Sequence, residues 1–342
     1  MICIYCGEIL DPHNDTDICP FCGMEIQPGT IPSGESPADY WGDACPDEVP
    51  DFEYILTPAG IMLEEYTGDD SMVIIQESYG GVPVYAIDQD AFTDSHITSV
   101  VIPDSMFMLG SNAFWNCVDL TSIYIPPNVR FIDDNIFCYC ESLREIIVDG
   151  ANTRYMSDGG MLLTKDGQTL VAAPAAGMTG PCRIPDGVTA IGFYSFFDCE
   201  HMTSVSMPES VRLIDTSAFY ECKGLTSVSL PSGLERIKDS AFAWCVNLGS
   251  IEIPGSVAEI GSEAFWGCRS LEKAVIADGV KTLGNRLFWH CDRLVSVAIP
   301  GSVTTIGEGI FIECGPSVVV TCPDGSCAQR YCEQNGIKYR TT

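Results

Sequence analysis

Four cysteines near the amino terminus have the spacing of a metal site. Cys3 and Cys6 form one Cys-x2-Cys pair, Cys19 and Cys22 form a second, and a glycine follows each pair. Thiolates two residues apart on a tight turn can both reach one ion at about 2.3 Å, and glycine lets the turn bend toward the sulfurs. Four thiolates complete a closed tetrahedral shell, which suits zinc and leaves no open position for a substrate. We therefore expect one structural Zn2+ bound by these four residues.

The segment that carries these cysteines resembles the small zinc ribbons found at the ends of many bacterial proteins. Iron in a rubredoxin-like site remains an alternative, because the same sulfur shell accepts it. Disulfides or redox pairs are a second alternative, although no thioredoxin-like βαβ pattern surrounds either pair. Residues 1–27 have too few large apolar side chains to fold without an ion. They contain no Lys or Arg, which argues against the nucleic-acid binding common among ribbons.

The remaining polar residues form no recognisable catalytic set. The four histidines stand at unrelated positions of the repeat described below, with no visible nucleophile and base arrangement. The 17 basic and 47 acidic residues give a formal net charge of −30, a field that repels phosphate backbones and anionic lipid surfaces. No stretch approaches the roughly 18 consecutive apolar residues of a spanning helix. We therefore expect no enzyme, no nucleic-acid partner and no membrane insertion.

Most of the chain consists of a 23-residue repeat, which must therefore form any surface that binds a partner. A phenylalanine recurs at this interval, a cysteine follows it by three residues, and an apolar-Pro step keeps the same period. The phenylalanine and cysteine positions are Phe114/Cys117, Phe137/Cys140, Phe196/Cys199, Phe219/Cys222, Phe242/Cys245, Phe265/Cys268, Phe288/Cys291 and Phe311/Cys314. Such periodicity indicates a solenoid in which each coil buries its apolar row against its neighbours.

One interval departs from the period. Phe137 and Phe196 are separated by one period of 23 and an insertion of 36 residues. Near its centre, the insertion has two apolar runs around the turn Lys165–Gln168, and the Asp-Gly step in that turn favours a tight hairpin. We expect a β-hairpin that leaves the solenoid at this point.

The repeat units resemble the BspA-like bacterial leucine-rich repeats. Residues 209–231 and 255–276 match the pattern IPxSVxxIGxxAFxxCxxLTSV position by position. The resemblance extends to an opening hairpin and first coil at 64–92 and to a closing turn, helix and strand at 323–340. It implies a mainly β, right-handed leucine-rich-repeat solenoid used for adhesion or protein recognition, often at a cell surface. It implies no enzymatic activity.

These observations divide the chain into three parts. The expected parts are a zinc ribbon at 1–27, an acidic Pro- and Gly-rich linker at 28–52 and the solenoid at 53–342. The solenoid has an N-terminal cap, the inserted hairpin and a C-terminal cap, at 53–90, 149–183 and 316–342. A central phenylalanine such as Phe242 has coils on both sides, so we expect it to matter more for stability than Phe92 near the end of the array.

Two recurring positions of the repeat, each forming a column along the stack of coils, allow both a structural and a functional interpretation. For the cysteine column, the preferred interpretation is that a small apolar side chain fills a tight inner position. Disulfides along the column are disfavoured, because stacked parallel side chains suit disulfide geometry poorly. The residue after the repeat phenylalanine is aromatic in five coils and includes Trp266 and Trp289. Lateral stacking explains this aromatic strip, and a partner-binding strip is the functional alternative.

The strand face offers the other candidate surface. In leucine-rich repeats the strands line the concave side and alternate residues project from it. The outward residues of the middle coils are mostly serines, whereas Tyr124, Arg144 and Ile147 stand just before the insertion. Affinity usually concentrates in a few large anchors, so these three are the preferred partner-binding residues, with Trp266 and Trp289 as the alternative site.

The expected partner is a protein of unstated identity, bound by a monomeric scaffold. Zinc-bound thiolates and many free cysteines favour a reducing cytoplasm, and the amino terminus shows no secretory signal. A surface-associated or secreted adhesion protein, following the usual role of the family, is the alternative.

Overall fold

The computed structural model describes residues 41, 44, 46 and 48–342, and they form a β-solenoid. Each 23-residue repeat makes one coil with two short strands. The longer strand and the two-residue strand are separated by a turn, and a run of turns containing the repeat phenylalanine closes the coil. We call the stack of longer strands the front sheet, the stack of shorter strands the back sheet, and the stack of turns the turn flank.

The front sheet is built from parallel strands with alternating buried and exposed residues. Its strands are β3 (Met72–Ile74), β6 (Ser99–Val101), β8 (Ser122–Ile125), β10 (Glu145–Val148), β14 (Gly180–Arg183), β16 (Met202–Ser206), β18 (Ser227–Ser229), β20 (Ser250–Ile253), β22 (Lys273–Ile276), β24 (Ser296–Ala298), β26 (Val319–Cys322) and β27 (Lys338–Thr341).

The back sheet begins at the N-terminal cap, where β1 (Phe52–Thr57) pairs antiparallel with its first strand, β2. In a second cap hairpin, β4 (Ser78–Tyr79) pairs antiparallel with β5. The back strands are β2 (Gly60–Tyr66), β5 (Val82–Ile87), β7 (Met108–Leu109), β9 (Phe131–Ile132), β13 (Thr169–Ala172), β15 (Ala190–Ile191), β17 (Leu213–Ile214), β19 (Arg236–Ile237), β21 (Glu259–Ile260), β23 (Thr282–Leu283) and β25 (Thr305–Ile306).

The C-terminal cap has the helix and last strand that the sequence predicts. Helix α1 (Cys327–Asn335) begins after Ser326, whose hydroxyl accepts a hydrogen bond from the Gln329 backbone N–H at 3.2 Å. It ends at Gly336, which has a left-handed φ of 67°. Both are favourable helix ends, because the serine satisfies a free N–H and glycine adopts this φ without steric cost. The chain then adds β27 to the front sheet beside β26.

Two left-handed residues in each coil shape the turn flank. They lie two positions before and two positions after the repeat phenylalanine, as Ser240 (φ 54°) and Trp244 (φ 59°) do around Phe242. Between them, Phe242 is completely buried and its ring stacks on Phe219 and Phe265, with centroid distances of 5.1 and 5.5 Å. The two left-handed residues therefore reverse the chain direction on each side of the phenylalanine, so that its ring points into the core.

The cysteine column has a specific role in this packing. The thiol of Cys245 donates a hydrogen bond to the carbonyl oxygen of Phe219 in the preceding coil, with 3.2 Å between sulfur and oxygen. Cys222, Cys268 and Cys291 make the equivalent bond to the phenylalanine of the coil before them. Cysteine thus fills a small apolar position and also gives a buried carbonyl a donor, which alanine could not supply.

These buried thiols are expected to resist alkylation in the folded protein. The thiolate is the nucleophile, and burial raises the pKa of the column cysteines, to about 11 for Cys117. At pH 8 only about one Cys117 side chain in a thousand is ionised. Peptide mapping after iodoacetamide treatment should show labelling of the partly exposed Cys327 in the native protein, and of Cys245 only in urea. Equal labelling of both in native protein would contradict the expected inertness of the column.

The insertion joins the solenoid instead of leaving it. Strands β12 (Met161–Thr164) and β13 form the antiparallel hairpin predicted around Lys165–Gln168. A further strand, β11 (Tyr155–Asp158), pairs with β12 and was not predicted. The expectation of a projecting hairpin was wrong, because β13 pairs in parallel with β15 and starts the second part of the back sheet. Leu170 and Ala172 on β13 are buried, so the insertion supplies core side chains to the coils.

The insertion divides the array into two cores. One cluster of buried side chains runs from the N-terminal cap to Ile146 and includes Leu162 and Ala172 of the insertion. The other begins with Met161, Leu163 and Leu170 of the insertion and runs to the C-terminal cap. The phenylalanine stack also has two parts, one ending at Phe137 and the other beginning at Phe196.

Phe92 is not the weakly packed terminal residue that the sequence suggested. Its side chain is 1 % exposed, and its ring contacts Phe52 and Tyr66 of the cap on one side and Phe114 on the other. The cap therefore replaces the missing coil, which the repeat period alone does not reveal. The poorly covered member is Phe311, which is half-buried and stacks on Phe288 at 5.9 Å.

Candidate functional site

Large apolar side chains project from the first four strands of the front sheet. We call this set the apolar row: Met72, Ile74, Val101, Tyr124 and Ile147. Their exposed fractions are 61 %, 57 %, 50 %, 42 % and 42 %, respectively. Each has a buried neighbour on its own strand: Val73, Val100, Ile123 or Ile146. An exposed apolar side chain is ordinary when it stands alone, but a contiguous group on one face indicates a contact surface.

The strand register makes the apolar row continuous. Ile74 is paired with Val101, and Tyr124 is paired with Ile147. Val101 and Tyr124 occupy the same place in successive coils, which are joined by a hydrogen bond from the Thr121 N–H to the Thr98 carbonyl at 3.2 Å. Four strands at the usual spacing make the row about 14 Å long. It ends beside the insertion, where the Ile146 N–H donates to the Gly160 carbonyl at 2.9 Å.

Acidic side chains flank the row. Asp69, Asp70 and Glu77 lie on the segments next to β3, and Glu145 is exposed on β10. The Tyr124 hydroxyl donates a hydrogen bond to Asp149, which lowers the pKa of that carboxyl group. Tyr124 lies on the third of the four strands of the row. Arg144 is also exposed, so it can contribute a cation at the end of the row nearest the insertion.

A cavity of about 320 Å³ adjoins the other end of the row. Met72 and Ile74 line it together with Phe52, Tyr66 and Tyr79 of the N-terminal cap. Asp51, Asp70 and Gln76 line it as well. Aromatic walls with a few polar groups accept a bulky side chain from a partner, which is how binding energy usually concentrates in an interface. The row therefore combines a flat apolar strip with a recess at its end.

The later coils present a different front surface. Beyond the insertion the outward positions of β16 and β18 are serines, and they line a shallow groove of about 380 Å³ with Val205 and Val228 at its floor. The outward residues of β20 include Ser250 and Glu252. These three strands present small and polar side chains, so they lack the large apolar anchors of the row.

Trp266 and Trp289, the alternative candidates, lie on the turn flank. Their rings stack with centroids 5.1 Å apart and an interplanar angle of 11°, and Trp244 meets Trp266 edge-on at 5.3 Å. Arg269 covers the ring of Trp244 and Arg286 that of Trp289, each about 5 Å from the ring centroid. The tryptophans are half-buried, so much of their aromatic surface is already used by neighbouring coils and arginines.

The predicted metal ligands Cys3, Cys6, Cys19 and Cys22 lie outside the described residues. In the part of the chain from residue 48 onward, and at residues 41, 44 and 46, no three His, Cys, Asp or Glu side chains are grouped to hold a metal ion. The same residues include no helix long and apolar enough to cross a membrane.

The sequence predicted Tyr124 and Ile147 as candidate binding residues and did not point to Met72, Ile74 or Val101, which the structure places beside them. For Val101 the signal was available, because it stands one period of 23 before Tyr124. Ile74 precedes Val101 by 27 residues, since the cap departs from the repeat, so the period could not place it. Only the strand pairing shows that the row extends to the cap.

Fold and surface together define a leucine-rich-repeat solenoid with an exposed apolar row on its strand face. Six copies of the BspA type leucine rich repeat region match residues 80–159 and 181–295, which is more than half of the chain. The chain therefore belongs to the BspA-type leucine-rich-repeat proteins.

Solved structures of bacterial leucine-rich-repeat proteins are similar in fold. A leucine-rich repeat protein from Eubacterium ventriosum is 22 % identical, with a TM-score of 0.63 over 73 % of this chain and 78 % of the other. The pneumococcal vaccine antigen PcpA is 14 % identical, with a TM-score of 0.54 over 87 % of this chain and 99 % of the other. A leucine rich cell surface protein from Faecalibacterium prausnitzii is 22 % identical, covers 87 % and 98 %, and has a TM-score of 0.48. No curated protein matches the chain.

Proposed function

We propose that this chain is a non-enzymatic scaffold that binds a protein partner through the apolar row. The observation that carries the proposal is the run of five exposed apolar side chains on adjacent strands next to a recess. Membership of a leucine-rich-repeat family supports it, because stacked coils of this kind present extended binding surfaces. We also propose that the coils are right-handed, as connections between parallel strands almost always are.

The surroundings of the row define the chemistry of the partner. Its centre is apolar, and its borders carry four acidic side chains and one basic side chain, Arg144, on a chain of formal net charge −30. The acidic residues are Asp69, Asp70, Glu77 and Glu145. A partner that presents large apolar side chains among basic residues would bury the row and be attracted by its borders. We expect one of its apolar side chains to occupy the recess beside Met72 and Ile74.

Site-specific photo-crosslinking is the direct test of this surface. A photoreactive amino acid at Val101 should capture one protein from the native host, whereas the same amino acid at Val295 should not. Val295 is a suitable control because it is also an exposed valine, at 48 %, but belongs to a later coil. The captured protein, once purified, should bind the full chain directly. Equal capture at both positions would contradict binding through the row.

We propose further that the protein acts in association with the bacterial surface. The adhesion and recognition role of the family motivates this assignment, as does the description of the pneumococcal protein of similar fold as a vaccine antigen. Nothing in the comparisons supports the cytoplasmic location that the cysteine content favoured. Fractionation of the native host, followed by protease treatment of intact cells, separates the two locations.

We also propose that Cys3, Cys6, Cys19 and Cys22 bind one structural zinc ion. Their two Cys-x2-Cys pairs support this, and elemental analysis of protein purified without chelators should find one zinc per chain. Cys19→Ser should remove the zinc and leave the main thermal transition nearly unchanged, because the described solenoid has its own buried cores. Protein without metal, or with iron in its place, would contradict the assignment.

A further inference from the structure

A cavity of about 340 Å³ lies where the insertion interrupts the coils. Its walls come from the end of β9, from β13, and from the turn flank on both sides of the interruption. Phe137 and Phe196, the adjoining ends of the two phenylalanine stacks, are separated here by the inserted residues. The cavity thus occupies a place that uniform stacking of coils would have filled, and it shares no residue with the apolar row.

The charged groups around this cavity are acidic. Asp133, Asp134 and Asp215 line it, and its described lining includes no Lys, Arg or His. Lys238 neutralises Asp215, with 2.9 Å between nitrogen and oxygen. Asp133 and Asp134 are exposed and form no ion pair within the described part of the chain. Partial desolvation, together with repulsion from Asp134 and Asp88, raises the pKa of Asp133. The cavity therefore carries negative charge that a ligand could neutralise.

A buried hydroxyl without a partner is the second observation. Ser195 lines the cavity, is 2 % exposed, and its Oγ has no hydrogen-bond partner. The position before the repeat phenylalanine is apolar in the other coils, for example Ala218, Ala241 and Ala264, and a serine stands there only next to this cavity. Buried polar atoms normally have partners, so this hydroxyl needs an explanation. Asn135 brings a further unpartnered buried oxygen, Oδ1, to the lining, but Asn112 one period earlier has the same unpartnered oxygen away from the cavity, so Ser195 is the distinctive group.

Aromatic rings complete the lining. Phe193 and Tyr194 meet edge-on with centroids 4.6 Å apart, and Phe197 packs against Tyr194 at 5.3 Å. Tyr155 lines the opposite side, where its hydroxyl accepts a hydrogen bond from the Ile132 N–H at 3.0 Å. Aromatic faces attract organic cations, and they do so most strongly where water is excluded.

We propose that this cavity binds an alkylammonium or guanidinium group. The carboxylates of Asp133 and Asp134 supply the opposing charge, the Ser195 and Asn135 oxygens accept hydrogen bonds from N–H donors, and the rings cover the apolar stem. The cavity volume is at the lower end of the range typical of small-ligand sites, which suits one lysine- or arginine-sized group. The source is either a free small amine or a side chain of a protein. The site does not depend on the apolar row.

Calorimetry on the full chain tests the proposal with defined probes. Arginine amide and lysine amide, each acetylated at the α-amino group so that the side chain carries the only charge, should bind. Citrulline amide and norleucine amide, acetylated in the same way and therefore uncharged, should bind at least tenfold more weakly. Added salt should weaken binding of the cations. Binding of citrulline amide as tight as that of arginine amide would overturn the proposal, as would the absence of binding by both cationic probes at millimolar concentration.

Variants locate the binding to this cavity. Asp133→Asn with Asp134→Asn, and separately Ser195→Ala, should each weaken arginine amide binding at least tenfold. Ser195→Ala is expected to fold, because alanine occupies the same position in three neighbouring coils. Asp278→Asn, which changes an exposed carboxylate outside the cavity, is the matched control and should have no effect. Equal weakening by the control would overturn the assignment.

A final comparison distinguishes the two sources of the cation. If a protein side chain is the ligand, acetyl-Gly-Arg-Gly-amide should bind at least as tightly as arginine amide, since the cavity must then admit a chain on both sides of the residue. Tight binding of agmatine with exclusion of the peptide would indicate a free small amine. Either result supports the cationic site, and binding of neither would overturn it.

Discussion

Replacing Val101 and Ile147 together with aspartate is expected to weaken binding of the protein partner by at least 100-fold. This corresponds to about 2.7 kcal/mol. The two side chains are 50 % and 42 % exposed on β6 and β10, so the substitutions should not disturb the core. In the complex, however, each would bury a carboxylate against an apolar surface without a partner. Affinity measured by calorimetry with the purified partner gives the loss, and thermal unfolding shows that the fold is retained.

Matched substitutions on other faces make this result specific. Val295 and Ile312 are each 48 % exposed but lie outside the apolar row, so changing both to aspartate should leave affinity within about twofold. Tyr124→Ala should give an intermediate loss, because it removes the central ring and its hydrogen bond to Asp149. If binding survives at the row but disappears in Trp266→Ala with Trp289→Ala, the aromatic strip of the turn flank is the binding site.

Replacing Phe242 with alanine is expected to cost about 3–5 kcal/mol of unfolding free energy. Its side chain is completely buried and stacks on a phenylalanine ring on each side, so truncation leaves a cavity that the rigid coils cannot close. The loss should be visible as a lower urea midpoint at an unchanged slope if unfolding remains cooperative.

Phe311→Ala is the control for this measurement. Phe311 is half-buried and stacks only on Phe288 among the phenylalanines that the structure describes, so we expect less than half the loss seen for Phe242. Phe92→Ala should resemble Phe242→Ala, because cap residues cover the free side of its ring. Similar losses at Phe311 and Phe242 would contradict the view that each coil is stabilised mainly by its neighbours.

The repeat could be read from the sequence because each of its columns answers one local requirement. Phe242 must fill the core, Cys245 must fill a small site, and the proline after most front strands tolerates the loss of an N–H at a turn. These requirements recur every 23 residues and therefore reinforce one another. The β12–β13 hairpin was also predictable, since its turn residues act locally.

Features that depend on pairing between unlike segments were not predictable. The parallel pairing of β13 with β15 requires knowing which side of the insertion packs on the next coil. The extension of the apolar row to Ile74 depends on the register between the cap and the first coil. The cavity beside Ser195 follows from how the insertion fails to fill the space between two coils, which no periodic pattern encodes.

The division of the core at the insertion has a mechanical consequence. In the uniform coils, backbone hydrogen bonds on the turn flank link each phenylalanine segment to the next, as from the Phe219 N–H to the Ala241 carbonyl at 2.8 Å. At the insertion the back sheet passes from one set of strands, ending at β9, to another, beginning at β13. A protein stretched between its two ends should yield first at this seam, extending as two rigid segments before either one unravels. On the proposed surface role, opening at this seam would absorb a sudden pull and leave the strands of the apolar row intact.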